Sequence, residues 1–257
     1  MMKHSPYFEA ETAASYDRLA VPHHFAAPAR DLVRRLRLPV RGLVLDVGSG
    51  SGAAAIPAAE IVGPQGVVVA LDPSLEMLRL LQRKGGCWIV AGQAPGLPFP
   101  DDLFHAVIAN FVLSHFKSYK VGLADVIRVL RSGGRLGVTA WGATQNEFVR
   151  VWKEVAAEFV SEERFQHAFR ELIPWDEWFS QDGHLQEALE EVGLLGVEVS
   201  RRQYRITMSA TDFLSVREIS VEGRLLRRML KAGQWHEFQR RLNDLFRTRF
   251  GESIEYT

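Results

Sequence analysis

Residues Val44-Leu45-Asp46-Val47-Gly48-Ser49-Gly50-Ser51-Gly52 constrain this chain more than any others. A short apolar run ends in three alternating glycines, and a small-residue stretch, Ala53 to Val62, runs on to Gly63-Pro64. That order predicts a buried strand, a tight turn and a helix. Strands without polar alternation belong to parallel sheets covered on both faces. Glycine admits positive φ and lets a ligand approach the backbone closely. The N–H groups opening the following helix have no partner within it, so the turn suits a nucleotide or an amino-acid carboxylate.

The alternation continues downstream. Val67 to Leu71 is a second predicted strand, and Pro73 to Lys84 a helix closed by Gly85-Gly86. Trp88 to Val90, Ala106 to Asn110 and Arg135 to Ala140 are further strands, with a helix at Gly122 to Leu130. Strands alternating with helices at this spacing predict an α/β fold, a mostly parallel sheet with helices on both faces. Residues 7–37 carry helical patterning before the first strand. After Trp141 the pattern changes. Residues 145–182 are helical and rich in aromatic side chains, His184 to Val192 is a helix, and a strand is expected around Val197 to Ile206. Ser209 and Asp212 form a capping box for another helix. Residues 224–249 are helical again, and Ile254-Glu255-Tyr256 reads as a short last strand.

The length of 257 residues suits one large domain with a cap, or two small domains. Lys and Arg number 31, as do Asp and Glu. That balance gives no electrostatic reason to expect nucleic-acid or membrane binding. The single cysteine, Cys87, excludes an intrachain disulfide and a thiolate-rich metal site, and reads as a small buried hydrophobe. No apolar run reaches membrane-spanning length, and the first residues lack a signal-peptide core. A cytoplasmic location is the expectation, with no metal. The end at Thr257 leaves open whether the native chain is longer.

Asp72 ends the second strand, 24 residues after Gly48. An acidic residue there reaches a ribose diol in open α/β sheets; it would also cap the helix that follows. Gly48-x-Gly50-x-x-Ala53 satisfies the relaxed dinucleotide fingerprint as well, so an NAD-type oxidoreductase is a rival reading. Asp46 opposes it, because a carboxylate before the first glycine repels a pyrophosphate and tolerates a sulfonium or ammonium. A second phosphate-binding element and a Tyr-x-x-x-Lys pair are also missing.

Five segments, in order, resemble the motifs of class I S-adenosylmethionine-dependent methyltransferases. They are Val44 to Gly52; Val69-Ala70-Leu71-Asp72-Pro73-Ser74 with Met77; Ala91 to Asp101; Val107 to His115; and Arg128 to Leu136. The resemblance is nearest to the broad group containing ubiquinone and menaquinone C-methyltransferases, and covers about residues 40–141. It implies a Rossmann-like seven-stranded sheet in order 3-2-1-4-5-7-6, with a helical cap. On that template residues 1–40 cover the cofactor site, 41–144 with 183–257 form the core, and 145–182 are a substrate-cap insertion. Two positions depart from the pattern. Gln93 stands where the family usually has Asp, and its amide oxygen can accept the same bond. His105 stands where the family has a structural Asp.

The resemblance implies S-adenosylmethionine as cofactor and methyl transfer to a small-molecule acceptor by in-line displacement. Gly48, Ser49, Gly50 and Gly52 would admit the methionine portion, Asp46 its ammonium or a nearby amide. Asp72, Pro73 and Met77 would address the ribose side, Gln93 and Ala94 the adenine. Asn110 and Phe111 would lie beside the sulfonium. His115, five residues beyond Asn110, is the candidate catalytic base or substrate contact, with packing as its plain alternative. Tyr16 either closes over the cofactor or packs in the core. The aromatic-rich cap suits a hydrophobic or planar acceptor. Neither nucleic acid nor membrane is an expected partner, and a homodimer is compatible with the reading. The arginines of 224–249 read as a solvated helix face, with an anionic substrate or an acidic surface as the alternative. An inactive cofactor-binding protein is the remaining alternative.

Overall fold

The computed structural model describes residues 10–143 and 146–257. The expectations for residues 7–9 and 145 lie outside the described residues. The chain opens with helix α1 (Ala10–Ser15), a π-helical segment (Tyr16–Phe25) and α2 (Ala26–Arg35). The wide turn at Tyr16–Phe25 contains Pro22, which has no N–H to give to a helical ladder.

The central sheet then forms by alternation: β1 (Leu43–Val47), α3 (Ala55–Val62), β2 (Val67–Asp72), α4 (Leu75–Lys84), β3 (Trp88–Ala91), β4 (Phe104–Asn110), α5 (Tyr119–Val129) and β5 (Leu130–Thr139). Its order is β3-β2-β1-β4-β5, and every pairing is parallel. Two apolar layers cover it. Ala54, Ala55, Ala58 and Val62 of the α3 region join Val33 of α2 on one face. Leu123, Val126 and Val129 of α5 lie on the other, with Phe179 and Ala188. The inner strands β1, β2 and β4 are largely buried, as their apolar character requires, while the edge strands β3 and β5 are partly exposed.

His105 has a definite job. The Leu43 amide donates to its Nδ1 at 3.1 Å, tying the start of β1 to β4. Cys87 is half-buried against the α3 layer, and burial followed by the charge of Asp46 pushes its thiol up to about 11.

Beyond the sheet come α6 (Glu147–Ala157), α7 (Glu162–Leu172), α8 (Asp176–Phe179) and α9 (His184–Glu191). Then follow β6 (Ile206–Ser209), α10 (Ala210–Ile219), α11 (Val221–Met229), α12 (Ala232–Arg249) and β7 (Ser253–Tyr256). Helices α6 and α7 share one apolar cluster with α10, α11 and α12, centred on Trp152, Phe213, Leu226, Phe238 and Phe246. Helices α8 and α9 instead pack on the sheet. Ser209 Oγ accepts from the Asp212 amide at 2.9 Å and donates to its carboxylate at 2.8 Å, so the expected cap is present.

The described sheet has five strands where seven were expected. β6 and β7 pair with each other, antiparallel, as a separate ribbon. The expected strand from Val197 begins only at Ile206. Gly193 and Gly196 take positive φ ahead of it, and Glu198 to Gln203 are exposed. With no run of buried side chains, that stretch has nothing to drive pairing onto β5.

Candidate active site

The carboxyl ends of β1, β2 and β4 converge, and the residues singled out from the sequence gather there. Gly48 and Ser49 both donate their amides to the Leu71 carbonyl, at 2.8 and 3.0 Å. Gly48, Gly50 and Gly52 have φ of 69°, 53° and 97°. A Cβ on Gly48 would fall 2.5 Å from Val112 Cγ2, and one on Gly52 2.4 Å from Leu81 Cδ1; one on Gly50 would meet nothing within 4 Å. Gly48 and Gly52 are therefore required by packing. Gly50 is the open position, where a ligand can approach the main chain.

Asp72 is 8% exposed. Its carboxylate accepts from the Gly50 amide at 2.8 Å and from the Ser74 amide at 2.7 Å. Burial nevertheless raises its pKa, those two bonds working the other way. The helix-capping role passes to Ser74, whose Oγ accepts from the Met77 amide at 3.3 Å. Asp72 therefore braces the glycine turn, and each of its oxygens keeps further acceptor capacity.

Asp46 is fully buried, and neither carboxylate oxygen has a hydrogen-bond partner. Burial and the charge of Asp72 push its pKa up to about 8, opposed by the nearby Ala55 amide, which lies outside hydrogen-bonding geometry. Ser49 Oγ is likewise buried without a partner. Pro73 is exposed and Met77 buried beside the β2 end. At the β3 end Gln93 is exposed and Ala94 buried. Asp125 of α5 holds the loop after them, accepting from the Gly96 and Leu97 amides at 2.6 and 2.8 Å.

At the β4 end, Thr139 of β5 donates to Asn110 Oδ1 at 2.8 Å and accepts from the Phe111 amide at 2.9 Å. Phe111 takes a φ of 55° and stacks on Trp141, ring centroids 4.0 Å apart. Phe25 meets both rings edge-on, at 5.5 and 5.6 Å, and Tyr16 lies 5.1 Å from Phe25. A left-handed non-glycine residue is uncommon and costs roughly 1–2 kcal/mol; the Thr139 clamp and the Trp141 stack hold Phe111 in it.

His115 ends a short 3-10 turn after β4. The residue is exposed, yet protein atoms around its ring desolvate it. Burial, and then the charge of Arg224 on α11, push its pKa down to about 4. It is therefore a neutral imidazole near pH 7.

Sequence reasoning passed over three contributors. Asp17 accepts from Ser51 Oγ and from Lys84 Nζ, and Lys84 donates to the Ser51 carbonyl at 3.0 Å. This triad joins the N-terminal segment, the glycine turn and the end of α4, with no local pattern to reveal it. Phe25 and Trp141 build the aromatic wall. Arg224 sat in a run read as a solvated face; Arg227, Arg228, Arg240, Arg241, Arg247 and Arg249 are exposed, while Arg224 is half-buried beside His115. Its signal was adjacency to Leu225 and Leu226, which are buried.

Residues 44–134 match the model of a family described as a methyltransferase domain. Residues 1–84 match that of the protein-L-isoaspartate(D-aspartate) O-methyltransferases. The demethylmenaquinone methyltransferase of Geobacillus kaustophilus is 34% identical over 131 residues, which are 48% of this chain and 56% of that protein. The ubiquinone/menaquinone biosynthesis C-methyltransferase UbiE of Blochmanniella floridana is 35% identical over 100 residues, 36% of this chain and 39% of that protein. The chain thus spans about half the length of the curated relatives it matches. A SAM-dependent methyltransferase from Aquifex aeolicus shares the fold, with a TM-score of 0.52 at 18% identity over 72% of this chain and 88% of that one. The glycine turn, the acidic residue after β2 and the β4 end all fall inside the matched segment, and residues 44–134 form a methyltransferase domain similar to those of class I S-adenosylmethionine-dependent methyltransferases.

Proposed function

We propose that this chain transfers a methyl group from S-adenosylmethionine to a small, planar or hydrophobic acceptor. The observation that carries the reading is the fully buried Asp46, whose two oxygens lack partners beneath a glycine turn left open at Gly50. A buried carboxylate without a partner is costly unless a cation or a proton meets it. An amino-acid ammonium at the turn supplies the cation. A pyrophosphate would add to the repulsion already present between Asp46 and Asp72, which disfavours the NAD-type alternative.

The residues fit the cofactor in other respects. Gly50 allows backbone approach, and Asp72 retains acceptor capacity for a ribose diol while its amide bonds hold it in place. Gln93 offers an exposed amide oxygen at the β3 end for the adenine amino group. When bound, the cofactor supplies an activated methyl group on a sulfonium, so the protein's work is alignment and exclusion of water. Asn110, fixed by Thr139, and Phe111, fixed by Trp141, form the wall at that position. Tyr16 and Phe25 close it from the N-terminal side. The aromatic wall suits a flat acceptor, held face-on to the rings. His115, neutral at working pH, orients the acceptor as a hydrogen-bond partner; with its pKa near 4 it is a weak base. Helices α6 and α7, packed with α10, α11 and α12, are the acceptor-side cover. The protein works in the cytoplasm on this reading. No helix among the described residues is long and apolar enough to cross a membrane.

Calorimetric titration with S-adenosylhomocysteine, with NADH in parallel, tests the cofactor. Micromolar binding of the former, weakened at least tenfold in Asp72→Ala, is expected; binding of NADH alone would overturn the reading. The names of the curated relatives make demethylmenaquinone the first acceptor to assay.

A further inference from the structure

Away from the glycine turn, a cavity of about 370 Å³ opens between α2 and the stretch leading into β6. Its walls are Ala27, Arg30, Asp31, Arg34, Arg202, Gln203 and Tyr204, so it shares no residue with the site above. Three guanidinium groups face one carboxylate there, in a protein whose formal charge is zero.

The carboxylate is already committed. Asp31 accepts from Tyr204 Oη at 3.1 Å and from Arg35 Nε at 3.4 Å, while Arg202 Nε lies 3.9 Å away. These contacts fasten the stretch before β6 to α2 and leave Arg202 only a loose partner. The side chains of Arg30 and Arg34 make neither a hydrogen bond nor an ion pair among the described residues. The arginines of α12 behave differently: Arg240, Arg241, Arg247 and Arg249 each meet a carboxylate. Arg30 and Arg34 are one helical turn apart, so their side chains share a face. Two like charges on one face repel, and Asp31, the one carboxylate lining the cavity, is shared with Arg35, Arg202 and Tyr204.

We infer that this cavity binds a phosphoryl group. Guanidinium groups present paired N–H donors that match phosphate oxygens, and more weakly hydrated cations than ammonium make the exchange favourable. Arg30 and Arg34 approach from the helix and Arg202 from the opposite wall, which surrounds a tetrahedral anion on two sides. Gln203 adds an amide. The volume corresponds to roughly a dozen waters at ~30 Å³ each, room for a phosphoryl group and the moiety that carries it. The phosphoryl group can belong to a soluble phosphate compound or to a lipid headgroup.

The test uses the whole chain, saturated with S-adenosylhomocysteine so that the glycine turn is not the binding site read. Inorganic pyrophosphate is titrated by calorimetry, and sedimentation is measured with phosphatidylcholine vesicles with and without phosphatidylglycerol. The double variant Arg30→Gln/Arg34→Gln lies on the surface, and its melting temperature serves as the check on folding. Arg240→Gln/Arg247→Gln removes the same charge from α12. One-to-one pyrophosphate binding, or sedimentation only with the anionic vesicles, is expected, weakened about tenfold or more in the α2 variant and unchanged in the α12 variant. The first result identifies a soluble ligand and the second a lipid headgroup. Absence of both, or equal loss in the two variants, overturns the inference.

Discussion

At the scale of single residues, the glycine turn separates packing from ligand approach. Ala at Gly52 would put a Cβ 2.4 Å from Leu81 at a φ of 97°, while Ala at Gly50 meets open space at a φ of 53°. Gly50→Ala is therefore expected to cost about 1–2 kcal/mol of stability from backbone conformation alone, and Gly52→Ala more, because Leu81 must also move. Chemical denaturation measures the order; equal losses would show that Leu81 yields freely. Asp46 predicts a pH dependence. Its folded pKa, about 8, lies above its ordinary 3.8, so the folded state binds the extra proton. Its contribution is fully present below pH 4 and is lost as pH rises toward 8. Asp46→Asn should flatten the stability curve across that window, by on the order of a few kcal/mol. An unaltered curve in that variant would remove Asp46 from the account. In the wild type, cofactor affinity should climb over the same range as the carboxylate ionises. Both acidic residues were legible in the sequence from their places before the glycines and after β2. Their environments were not, since the lack of a partner for Asp46 depends on how α3 seats over β1.

At the scale of elements, the sheet was readable because its inner strands are mostly apolar and the chain between its elements is punctuated by glycine. The stretch from Val197 to Arg205 was not, because alternating apolar and polar letters are common to strands and to exposed coil; only neighbours distinguish them. The cap illustrates another limit. Its aromatic residues announced a packed cluster, but that α10, α11 and α12 complete it was not visible in any local pattern. The cluster also contains an ion network. Glu222 of α11 pairs with Arg217 of α10, and with Lys153 of α6 at 3.2 Å; the Arg217 guanidinium lies 4.7 Å over the Trp152 ring. Burial would raise the pKa of Glu222, but the charges of Arg217 and Lys153 prevail and bring it down to about 2. That contribution is present above about pH 4.5 and lost as pH falls toward 2. Glu222→Gln leaves the Arg217 charge, with its side chain 12% exposed, short of its partner. A loss of about 3 kcal/mol is expected at pH 7, shrinking as acid protonates the wild type. A variant as stable as wild type at pH 7 would mean that solvent or another carboxylate replaces Glu222.

For the whole molecule, the proposed cofactor links parts whose apolar side chains pack in different clusters. Its site draws on the glycine turn and β4 of the sheet unit, while Tyr16, Asp17 and Phe25 come from the segment before it. Binding to the folded state alone stabilises by about 2.7 kcal/mol at a hundred times Kd. For a chain of this size that raises Tm by roughly 5–10 °C. The triad of Asp17, Ser51 and Lys84 makes the coupling specific, because it spans the N-terminal segment and the turn. Asp17 and Lys84 are partly exposed, with side chains 21% and 34% accessible, so their pairing contributes about 1 kcal/mol at most. That suffices for a several-fold change in a rate. Opening the segment must precede release, whereas association begins from states already open. Asp17→Ala and Lys84→Ala should therefore speed dissociation of S-adenosylhomocysteine about threefold to fivefold, with little change in association. Raised salt should act on the wild type in the same direction and leave the variants nearly unaffected. Stopped-flow displacement separates the two rates. Slower association with unchanged dissociation would mean that the triad shapes the turn for binding and does not hold it shut.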